Sequence, residues 1–347
     1  MELLYVIFFL LFIIFALVAY AVLQIKLFGM NVKDFWSFVE ANQILDKLYT
    51  YEIKRCFGNI KFSHVIQYSG YEFKRQLMFG RFDCNKIIFV HNNMVEEINV
   101  RQAQHPNAIR YAYNHYDKVV MVTDDMKEPT KVFCNHEEKL TTVNNIIDYN
   151  NIIQKSKLDP VFDDNTLSSV TLEELTEIFD SNSKVFVTIG RFSPEKGHER
   201  LLKCFNNLWK EDNSIYLIVI GGHGVLYQET VELARSLEAS EHIIIIKSLS
   251  NPYPFLKKCD YFVFTSFHEG FGLVLVEADI LGLPVMSTDI LGPKGFLKEH
   301  NGLLVPNNEN GIYIGMKQML LGNVKRMNVD YKKYNQNAVK KFEELLK

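Results

Sequence analysis

Two glutamates, Glu269 and Glu277, lie in an otherwise largely apolar stretch, HEGFGLVLVEADILGLPV at residues 268–285. Glu269 is followed closely by two glycines, which permit tight backbone turning beside a ligand. Glu277 falls on a predicted helix, from about residue 273 to 281, that is apolar nearly all round. Because a buried carboxylate without a partner is costly, we expect a polar group to meet Glu277. That group is either a ligand or a structural partner such as a salt bridge, and for Glu269 the structural alternative is a favourable contact with the helix dipole.

A second segment offers positive charge for an anion. In GRFSPEKGHERLL, residues 190–202, a predicted strand ends at Gly190 and a helix begins between Pro194 and His198. Helix N-termini favour anions, and Arg191 and Lys196 add two cations at the same place. Hydrogen bonds to charged groups contribute about 1.5 to 3 kcal/mol each, so the segment suits a pyrophosphate. The alternative is a pair of solvated surface cations.

A third segment, GGHGVLYQE at residues 221–229, has glycines that could admit a nucleotide or phosphate, Gly222 among them. It lacks the full GxGxxG spacing of a dinucleotide site. The next predicted strand ends in Lys247 and Ser248, where a dehydrogenase would carry an acidic residue for the ribose. The pattern therefore disfavours an NAD enzyme.

These segments follow predicted strands that are short and apolar, as in a buried parallel sheet. Because ligands of doubly wound sheets bind beyond the carboxyl ends of the strands, the loops after residues 190, 221, 248 and 266 should line one crevice. The strands are KVFVTIG (184–190), IYLIVIG (215–221), HIIIIKS (242–248), YFVFTS (261–266) and LPVMST (283–288). Leu201, Leu202, Phe205, Leu208 and Trp209 should form one apolar face of the helix after the first strand.

Upstream, apolar runs near residues 64, 86 and 118 predict strands of an earlier α/β unit, with helical sequence between the last two. The Asn- and Asp-rich segment 143–166 suits a domain connection. We therefore predict an N-terminal Rossmann-like domain over 29–150, a C-terminal one over 151–330 and a closing amphipathic helix over 331–347.

The N-terminus is of another kind, since residues 3–23 hold no charged side chain and are long enough to cross a membrane as a helix. We predict a membrane anchor over residues 1–28. A cleaved signal peptide is the alternative, given the AYA at residues 19–21. Lys26 and Lys33 follow the span and only Glu2 precedes it, which favours a single-pass protein whose catalytic part faces the cytoplasm.

Composition narrows the function classes. The chain has 347 residues, 48% of them hydrophobic, which is enough for two globular cores. A net charge of -3 without dense Lys/Arg tracts argues against a nucleic-acid partner. The 5 cysteines never form CxxC, and HExxH and DxD pairs are absent from the sequence, so we predict no disulfide framework, no metal and no cofactor.

Taken in order, GRFSPEKG, GGHG and the Glu–seven residues–Glu pattern of EGFGLVLVE resemble retaining glycosyltransferases of the GT-B fold, specifically glycosyltransferase family 4. The resemblance covers residues 184–306 well and the first domain only from about residue 64. GPKGFLKEHNGLLVP and NPYPFLKKCDYFVFTS are most similar to bacterial members associated with teichoic-acid-type surface polymers. The family resemblance implies two Rossmann-like domains that face each other across a cleft. It also implies a metal-independent hexosyltransferase that moves a sugar from a nucleotide-diphosphate sugar to a lipid-linked, polymer or glycan acceptor.

The resemblance also implies residue roles. Arg191 and Lys196 would hold the donor diphosphate, Glu269 would face the donor sugar, and Glu277 would hydrogen-bond the ribose. The other substrate-binding positions are Gly190 and Gly222 near the phosphates, the backbone amides of Gly270, Phe271 and Gly272, Lys247 and Ser248 near the base, and His91 near the transferred sugar.

The sequence departs from the family in two places. The usual opening strand and glycine-rich loop are missing, so the first domain is shortened, and Gly295 and Phe296 stand where many members carry a glutamate. Two interpretations follow: an active, membrane-anchored transferase, or a truncated homologue that binds nucleotide sugar with little or no turnover. A nucleotide-sugar epimerase or a phosphorylase of related fold is a third, disfavoured interpretation. A phosphorylase of this architecture would carry a pyridoxal-phosphate lysine, and no local signature of one is found.

Overall fold

The computed structural model describes residues 43–69, 73–100 and 106–347. The predicted membrane anchor at residues 1–28 lies outside them. Among the helices that are described, none is both long and apolar enough to cross a membrane. The chain divides into two compact units: the first holds residues up to Val90, Met94–Val120 and Pro129–Thr141, and the second holds His91–Asn93, Met121–Glu128 and Thr142–Lys347.

Residues 43–142 form a four-stranded sheet with strands in the order β1-β2-β3-β4. β1 and β2 are parallel, with His64 opposite Asn85. The three strands predicted near residues 64, 86 and 118 are confirmed. The elements are α1 Gln43–Phe57, β1 His64–Gln67, α2 Phe73–Phe79, β2 Asn85–Val90, α3 Met94–Asn99, α4 Pro106–His115, β3 Lys118–Met121, a 3₁₀ turn Asp124–Met126, α5 Lys127–Lys131, a 3₁₀ turn Glu137–Lys139 and β4 Leu140–Thr142.

Residues 143–347 form a seven-stranded sheet in the order β11-β10-β9-β6-β7-β8-β5. All five predicted strands are present. The elements are α6 Tyr149–Lys155, β5 Leu167–Ser168, α7 Leu172–Asp180, β6 Val185–Ile189, a 3₁₀ turn Pro194–Lys196, α8 His198–Trp209, β7 Tyr216–Gly221, α9 Tyr227–Ser236, a 3₁₀ turn Ser240–His242, β8 Ile243–Lys247, α10 Tyr253–Lys258, β9 Tyr261–Phe264, α11 Leu273–Ile280, β10 Val285–Thr288, α12 Pro293–His300, β11 Leu303–Val305, α13 Glu309–Leu320 and α14 Tyr331–Leu345.

The core of the second unit explains why these segments form strands. β6, β7 and β8 pair in parallel, and their near-continuous apolar side chains are buried. The short β5 joins the edge in the antiparallel sense. Leu201, Leu202, Phe205 and Leu208 of α8 are each no more than 2% exposed, and Trp209 is partly buried against the same core. The predicted apolar face of α8 is confirmed.

The strand order creates a topological switch point. β6 pairs with β7 on one side and β9 on the other, all in parallel. The chain leaves β6 toward β7 and later returns to β9 on the other side of β6, so the loops after β6 and β9 leave adjacent strands at the carboxyl edge of the sheet. Doubly wound sheets bind ligands at such a point. The GRFSPEKG and EGFG segments therefore meet there.

Candidate active site at the carboxyl edge of the second sheet

An ion pair joins the two loops at the switch point. Lys196 ends the turn after β6, Glu269 lies in the loop after β9, and Lys196 Nζ is 2.5 Å from Glu269 Oε2. The two side chains are 12% and 20% exposed. The structure thus brings together a cation and a carboxylate that are 73 residues apart in the chain. The alternative for Glu269 was a favourable contact with the helix dipole, but the structure instead shows a specific cationic partner.

The path of the Lys196 side chain is fixed by its neighbours. A Cβ built on Gly190 would lie 3.2 Å from Lys196 Cδ and 3.3 Å from its Cγ, so the lysine stem crosses directly over this glycine. Its ammonium lies 5.6 Å from the centroid of the Phe264 ring. Gly197, with a φ of 65°, then turns the chain into α8. Lys196 is consequently held at the sheet edge rather than swinging in solvent.

Arg191 is anchored differently. Its Nη2 donates to Oε1 of the buried Glu195 at 2.8 Å, while the arginine side chain remains 43% exposed. The buried ring of His198 lies 3.0 Å from the Arg191 carbonyl through Nε2, and burial lowers the pKa of His198 to about 4. The imidazole is therefore neutral at pH 7, and Nε2–H donates to the carbonyl. This fixes the backbone of Arg191 and leaves a guanidinium face open to an anion.

Arg200 ties the two loops together, and sequence reasoning missed it. Its guanidinium donates to the Thr265 carbonyl at 2.6 Å and 3.0 Å and to the Ser266 carbonyl at 2.9 Å. It also stacks over the Phe267 ring, with Cζ 3.8 Å from the centroid. Burial lowers the pKa of Arg200 to about 10, so it stays charged at pH 7. The available signal was a charged residue next to the apolar positions of α8.

Gly270 is a glycine because another backbone passes against it. A Cβ at Gly270 would overlap the carbonyl oxygen of His91 and would lie 2.7 Å from Oδ1 of Asn92. His91 directly follows β2 and is grouped with the second unit. The structure therefore brings the predicted His91 and Gly270 positions together through the histidine backbone. Gly272, with a φ of 83°, begins α11 in a conformation that favours glycine.

Glu277 meets a tyrosine. It lies half-buried on α11, and its carboxylate accepts a hydrogen bond from the hydroxyl of Tyr253 at the start of α10. Burial raises the pKa of Glu277, and the Tyr253 hydrogen bond partly opposes the rise. Burial, followed by the charge of Glu277, raises the pKa of Tyr253 to about 12. The expected polar partner is therefore a neutral hydroxyl instead of a cation, and no residue in the described ranges forms an ion pair with Glu277.

The far end of the site is formed by the loops after β7 and β8. Lys247 Nζ lies 4.4 Å from the centroid of the Tyr227 ring. Ser248 has a φ of 63°, which is uncommon for a residue with a side chain, and its hydroxyl donates to the Gly222 carbonyl at 3.1 Å. A Cβ at Gly222 would meet nothing within 4 Å. This end is therefore shaped by backbone and remains open.

Phe271, between the two glycines, contributes only its backbone to the edge. Its ring is 6% exposed and packs edge-to-face on Phe296, with centroids 5.7 Å apart. The neighbouring Gly295, where a family glutamate was expected, donates its amide to Asp125 Oδ2 at 2.5 Å. A carboxylate from another part of the second unit thus contacts the Gly295 backbone, and its Oδ2 is 2.7 Å from where a Cβ would lie.

Known glycosyltransferases are similar to this chain in sequence and in fold. Residues 174–337 match the family described as Glycosyl transferases group 1. An uncharacterized glycosyltransferase of Methanocaldococcus jannaschii is 29% identical over 216 residues, 61% of this chain and 50% of the relative. The N-acetylgalactosamine-N,N'-diacetylbacillosaminyl-diphospho-undecaprenol 4-alpha-N-acetylgalactosaminyltransferase of Campylobacter jejuni is 30% identical over 199 residues, 56% of this chain and 48% of the relative. Other matched bacterial relatives are named for capsular polysaccharide and O-antigen biosynthesis.

The solved structures extend the similarity in fold to most of the chain. Anabaena Alr3699/HepE, crystallised with UDP and glucose, matches 88% of this chain and 83% of its own with a TM-score of 0.62 and 16% identity. The chain therefore has an α/β GT-B-like fold with parallel sheets. It spans about half the length of the two curated relatives described above, at 50% and 48%.

Proposed function

We propose that this chain is a metal-independent glycosyltransferase that moves a sugar from a nucleotide-diphosphate sugar to a hydroxyl of its acceptor with retention of configuration. The observation that carries the proposal is the Lys196–Glu269 pair, 2.5 Å apart at the topological switch point. It places a cation suited to a phosphate beside a carboxylate suited to sugar hydroxyls.

Diphosphate binding is assigned to Lys196 and Arg191. Each is paired with a carboxylate of the protein, Glu269 and Glu195 respectively, which orients the cation before any ligand arrives. Negative charge grows on the leaving diphosphate as the glycosidic bond breaks. Cations already held in position stabilise that charge without reorganising, and loss of one such donor typically costs about 100-fold to 1,000-fold in turnover.

The nucleoside is assigned to Glu277 and to the far end of the site, which the loops after β7 and β8 form. Ionised Glu277 would accept hydrogen bonds from the ribose hydroxyls, as the family resemblance implies. Lys247, Ser248 and Gly222 would border the base and phosphates. The open space at Gly222 and the neutral hydroxyl partner of Glu277 support this assignment, because both leave room for a polar ligand.

Retention is proposed without a protein nucleophile. In this scheme the leaving diphosphate stays on the face from which it departs and accepts the proton of the incoming acceptor hydroxyl. The new bond then forms on that same face of the sugar. Glu269 would orient the sugar hydroxyls, His91 would approach the sugar from the opposite loop, and the amides of Gly270, Phe271 and Gly272 would face the phosphates and sugar.

The acceptor and location extend the same proposal. We assign the chain to glycosyltransferase family 4 and to bacterial surface-polymer or glycan synthesis, with a lipid-linked, polymer or glycan acceptor. The name of the Campylobacter jejuni relative includes a diphospho-undecaprenol glycan, which supports an acceptor held at a membrane. An N-terminal anchor at residues 1–28, with the catalytic part on the cytoplasmic face, would bring the site to such an acceptor.

One observation favours a second candidate function. The sheet of the first unit has four strands of 4, 6, 4 and 3 residues, a small scaffold for an acceptor-side domain. A homologue with this domain could bind nucleotide sugar without transferring it. To separate the two functions, the full chain is titrated with UDP, GDP, ADP and CDP sugars while heat and nucleoside diphosphate are both measured. Binding with slow diphosphate release supports the transferase, whereas binding without release, even with membrane extract as acceptor source, supports the binding-only homologue.

A further inference from the structure

The two loops at the switch point are joined through their backbones as well as through the Lys196–Glu269 ion pair. The amide of Phe267 donates to the carbonyl of Glu195 at 2.7 Å. The hydroxyl of Thr265 donates to the carbonyl of Lys196 at 3.3 Å. The segment after β6 and the segment after β9 therefore run side by side just ahead of Glu269.

Arg200 contributes a buried charge to this contact. It is 6% exposed, and the three hydrogen bonds that its guanidinium donates all go to the backbone carbonyls of Thr265 and Ser266, at 2.6, 2.9 and 3.0 Å. The ring of Phe267 covers the guanidinium, with its centroid 3.8 Å from Cζ. A buried charge is costly unless polar groups satisfy it, and here those groups are carbonyls of a single loop.

The start of α8 is packed closely against the end of β9 at this contact. Gly197 has a φ of 65°, and a Cβ built on it would lie 2.3 Å from the Thr265 carbonyl oxygen and 2.7 Å from Arg200 Nε. No room is left for a methyl group between the two backbones. The guanidinium therefore holds the loop after β9 directly against the first turn of α8.

The ion pair by itself would not keep this arrangement once a donor is bound. A donor diphosphate competes with Glu269 for the Lys196 ammonium, because both are anions that accept hydrogen bonds from it. The hydrogen bonds from Arg200 to the carbonyls of Thr265 and Ser266 do not involve that ammonium. They can therefore hold the loop after β9 in place while Lys196 turns to the diphosphate.

We propose that Arg200 is a positioning residue that keeps Glu269 at its working distance from Lys196 and from the donor sugar. Arg200 does not touch the donor, and it acts through the backbone of Thr265 and Ser266, just ahead of Glu269 in the chain. A misplacement of about 1 Å in a catalytic group can cost about 100-fold in rate. The consequence for turnover rests on the proposed function, whereas the coupling between Arg200 and the ion pair does not.

Kinetics of the full chain separate positioning from a purely structural role. Arg200→Lys keeps a positive charge, but an ammonium lacks the planar fork that reaches both carbonyls. Its melting temperature should therefore lie between those of Arg200→Met and the parent, while its kcat for nucleoside diphosphate release falls about 10-fold to 100-fold. Affinities for UMP, GMP, AMP and CMP should be unchanged, because the nucleoside is assigned to the far end of the site. Arg235→Lys is the matched control, since Arg235 is exposed on α9, and it should change none of these properties.

A double-variant cycle tests the coupling without any donor. If Arg200 holds Glu269 against Lys196, its removal weakens the ion pair, so Lys196→Met then has less to disrupt. Arg200→Met combined with Lys196→Met should lower the melting temperature by less than the sum of the two single losses. The same cycle with Arg200→Lys covers the case in which Arg200→Met does not fold. In the control cycle Lys317→Met replaces Lys196→Met, because Lys317 pairs with Glu211 beyond the C-terminus of α8, and its effect should be additive.

Three results would overturn the proposal. These are a kcat for Arg200→Lys within about threefold of an active parent, a kcat that recovers in step with the melting temperature from Arg200→Met to Arg200→Lys, and additive melting losses in the Lys196 cycle. No diphosphate release by the parent, with non-additive melting losses, would contradict the proposed function alone. An active parent with an unchanged kcat in Arg200→Lys would contradict this inference alone.

Discussion

Removing the charge of Lys196 tests the diphosphate assignment most sharply. In Lys196→Met the apolar stem over Gly190 and Phe264 is largely kept, and the ammonium is lost. One ionic hydrogen bond to the diphosphate contributes about 1.5 to 3 kcal/mol, which corresponds to roughly 10-fold to 150-fold in rate. Because the charge develops mainly as the bond breaks, we expect kcat to fall about 100-fold and KM to change much less.

The same variant should lose stability, and this effect must be separated from catalysis. Removing one partner of a buried ion pair costs about 3–5 kcal/mol, and removing one from an exposed pair costs about 0–1 kcal/mol. Lys196 and Glu269 are 12% and 20% exposed, between these limits. We therefore expect a loss of about 2 kcal/mol, or roughly 4–8 °C in melting temperature.

A double variant separates the two effects. Lys196→Met with Glu269→Gln leaves no unpaired charge, so its stability should recover toward that of the parent while turnover stays low. The assay is nucleoside diphosphate release, and stability is followed by thermal and urea unfolding. Lys203→Met is the matched control, since Lys203 pairs with Glu199 at 2.6 Å on the exposed face of α8, and it should change neither property. A kcat for Lys196→Met within threefold of the parent, with normal stability, would contradict the assignment of Lys196 to the diphosphate.

Three further predictions follow from the same site. Tyr253→Phe removes the hydrogen bond that lowers the pKa of Glu277, so the loss of donor binding on acidification should move to higher pH. Calorimetric Kd values for the donor across pH 5 to 8 measure this shift, and a pH profile of donor binding that does not move contradicts it. Gly270→Ala should destabilise the fold by about 1–3 kcal/mol through overlap with a neighbouring backbone, while Gly222→Ala, which meets nothing within 4 Å, should leave the melting temperature unchanged; equal effects of the two would contradict this. Finally, burial lowers the pKa of His198 to about 4, whereas its pKa in the unfolded chain is near 6.5. The stability that neutral His198 contributes above its unfolded pKa is therefore lost as pH falls toward 4. The free energy of unfolding should accordingly fall less steeply from pH 7 to 5 in His198→Gln than in the parent.

The sequence was most informative where a local pattern has a single physical explanation. Continuous apolar runs such as IYLIVIG can be satisfied only by burial on both faces, so the strands of the second sheet were predictable. The carboxyl ends of parallel strands share one edge of the sheet. The proximity of the loops that carry Lys196 and Glu269 was therefore predictable as well. The amphipathic face of α8 was predictable for the same reason, from the period of its apolar residues.

The partners of the site residues were beyond sequence reasoning. Tyr253 and Glu277 are 24 residues apart on separate helices, and Arg200 reaches the Thr265 carbonyl across 65 residues. Contacts of this kind depend on tertiary packing and leave no periodic trace in the chain. The sequence predicted that Glu277 needs a polar partner, because burial has a known cost, but it could not identify Tyr253.

Gly295, which stands where many family members carry a glutamate, is a second example of a contact that the sequence could not identify. The missing glutamate was visible in the sequence, but its consequence was not. In the structure the Gly295 amide instead donates to Asp125, whose carboxylate comes from a distant part of the chain. A Cβ at Gly295 would lie 2.7 Å from Asp125 Oδ2, so these two residues fit each other closely.

We propose that this site breaks the bond between a sugar and a nucleoside diphosphate while the sugar keeps its configuration. The most direct measurement follows the full chain with its preferred nucleotide sugar and a membrane extract or glycan acceptor by ¹H and ³¹P NMR. We expect release of nucleoside diphosphate, a product with the same anomeric configuration as the donor, and loss of both in Lys196→Met. A product of inverted configuration, release of nucleoside monophosphate, or tight binding with no release at all would contradict it.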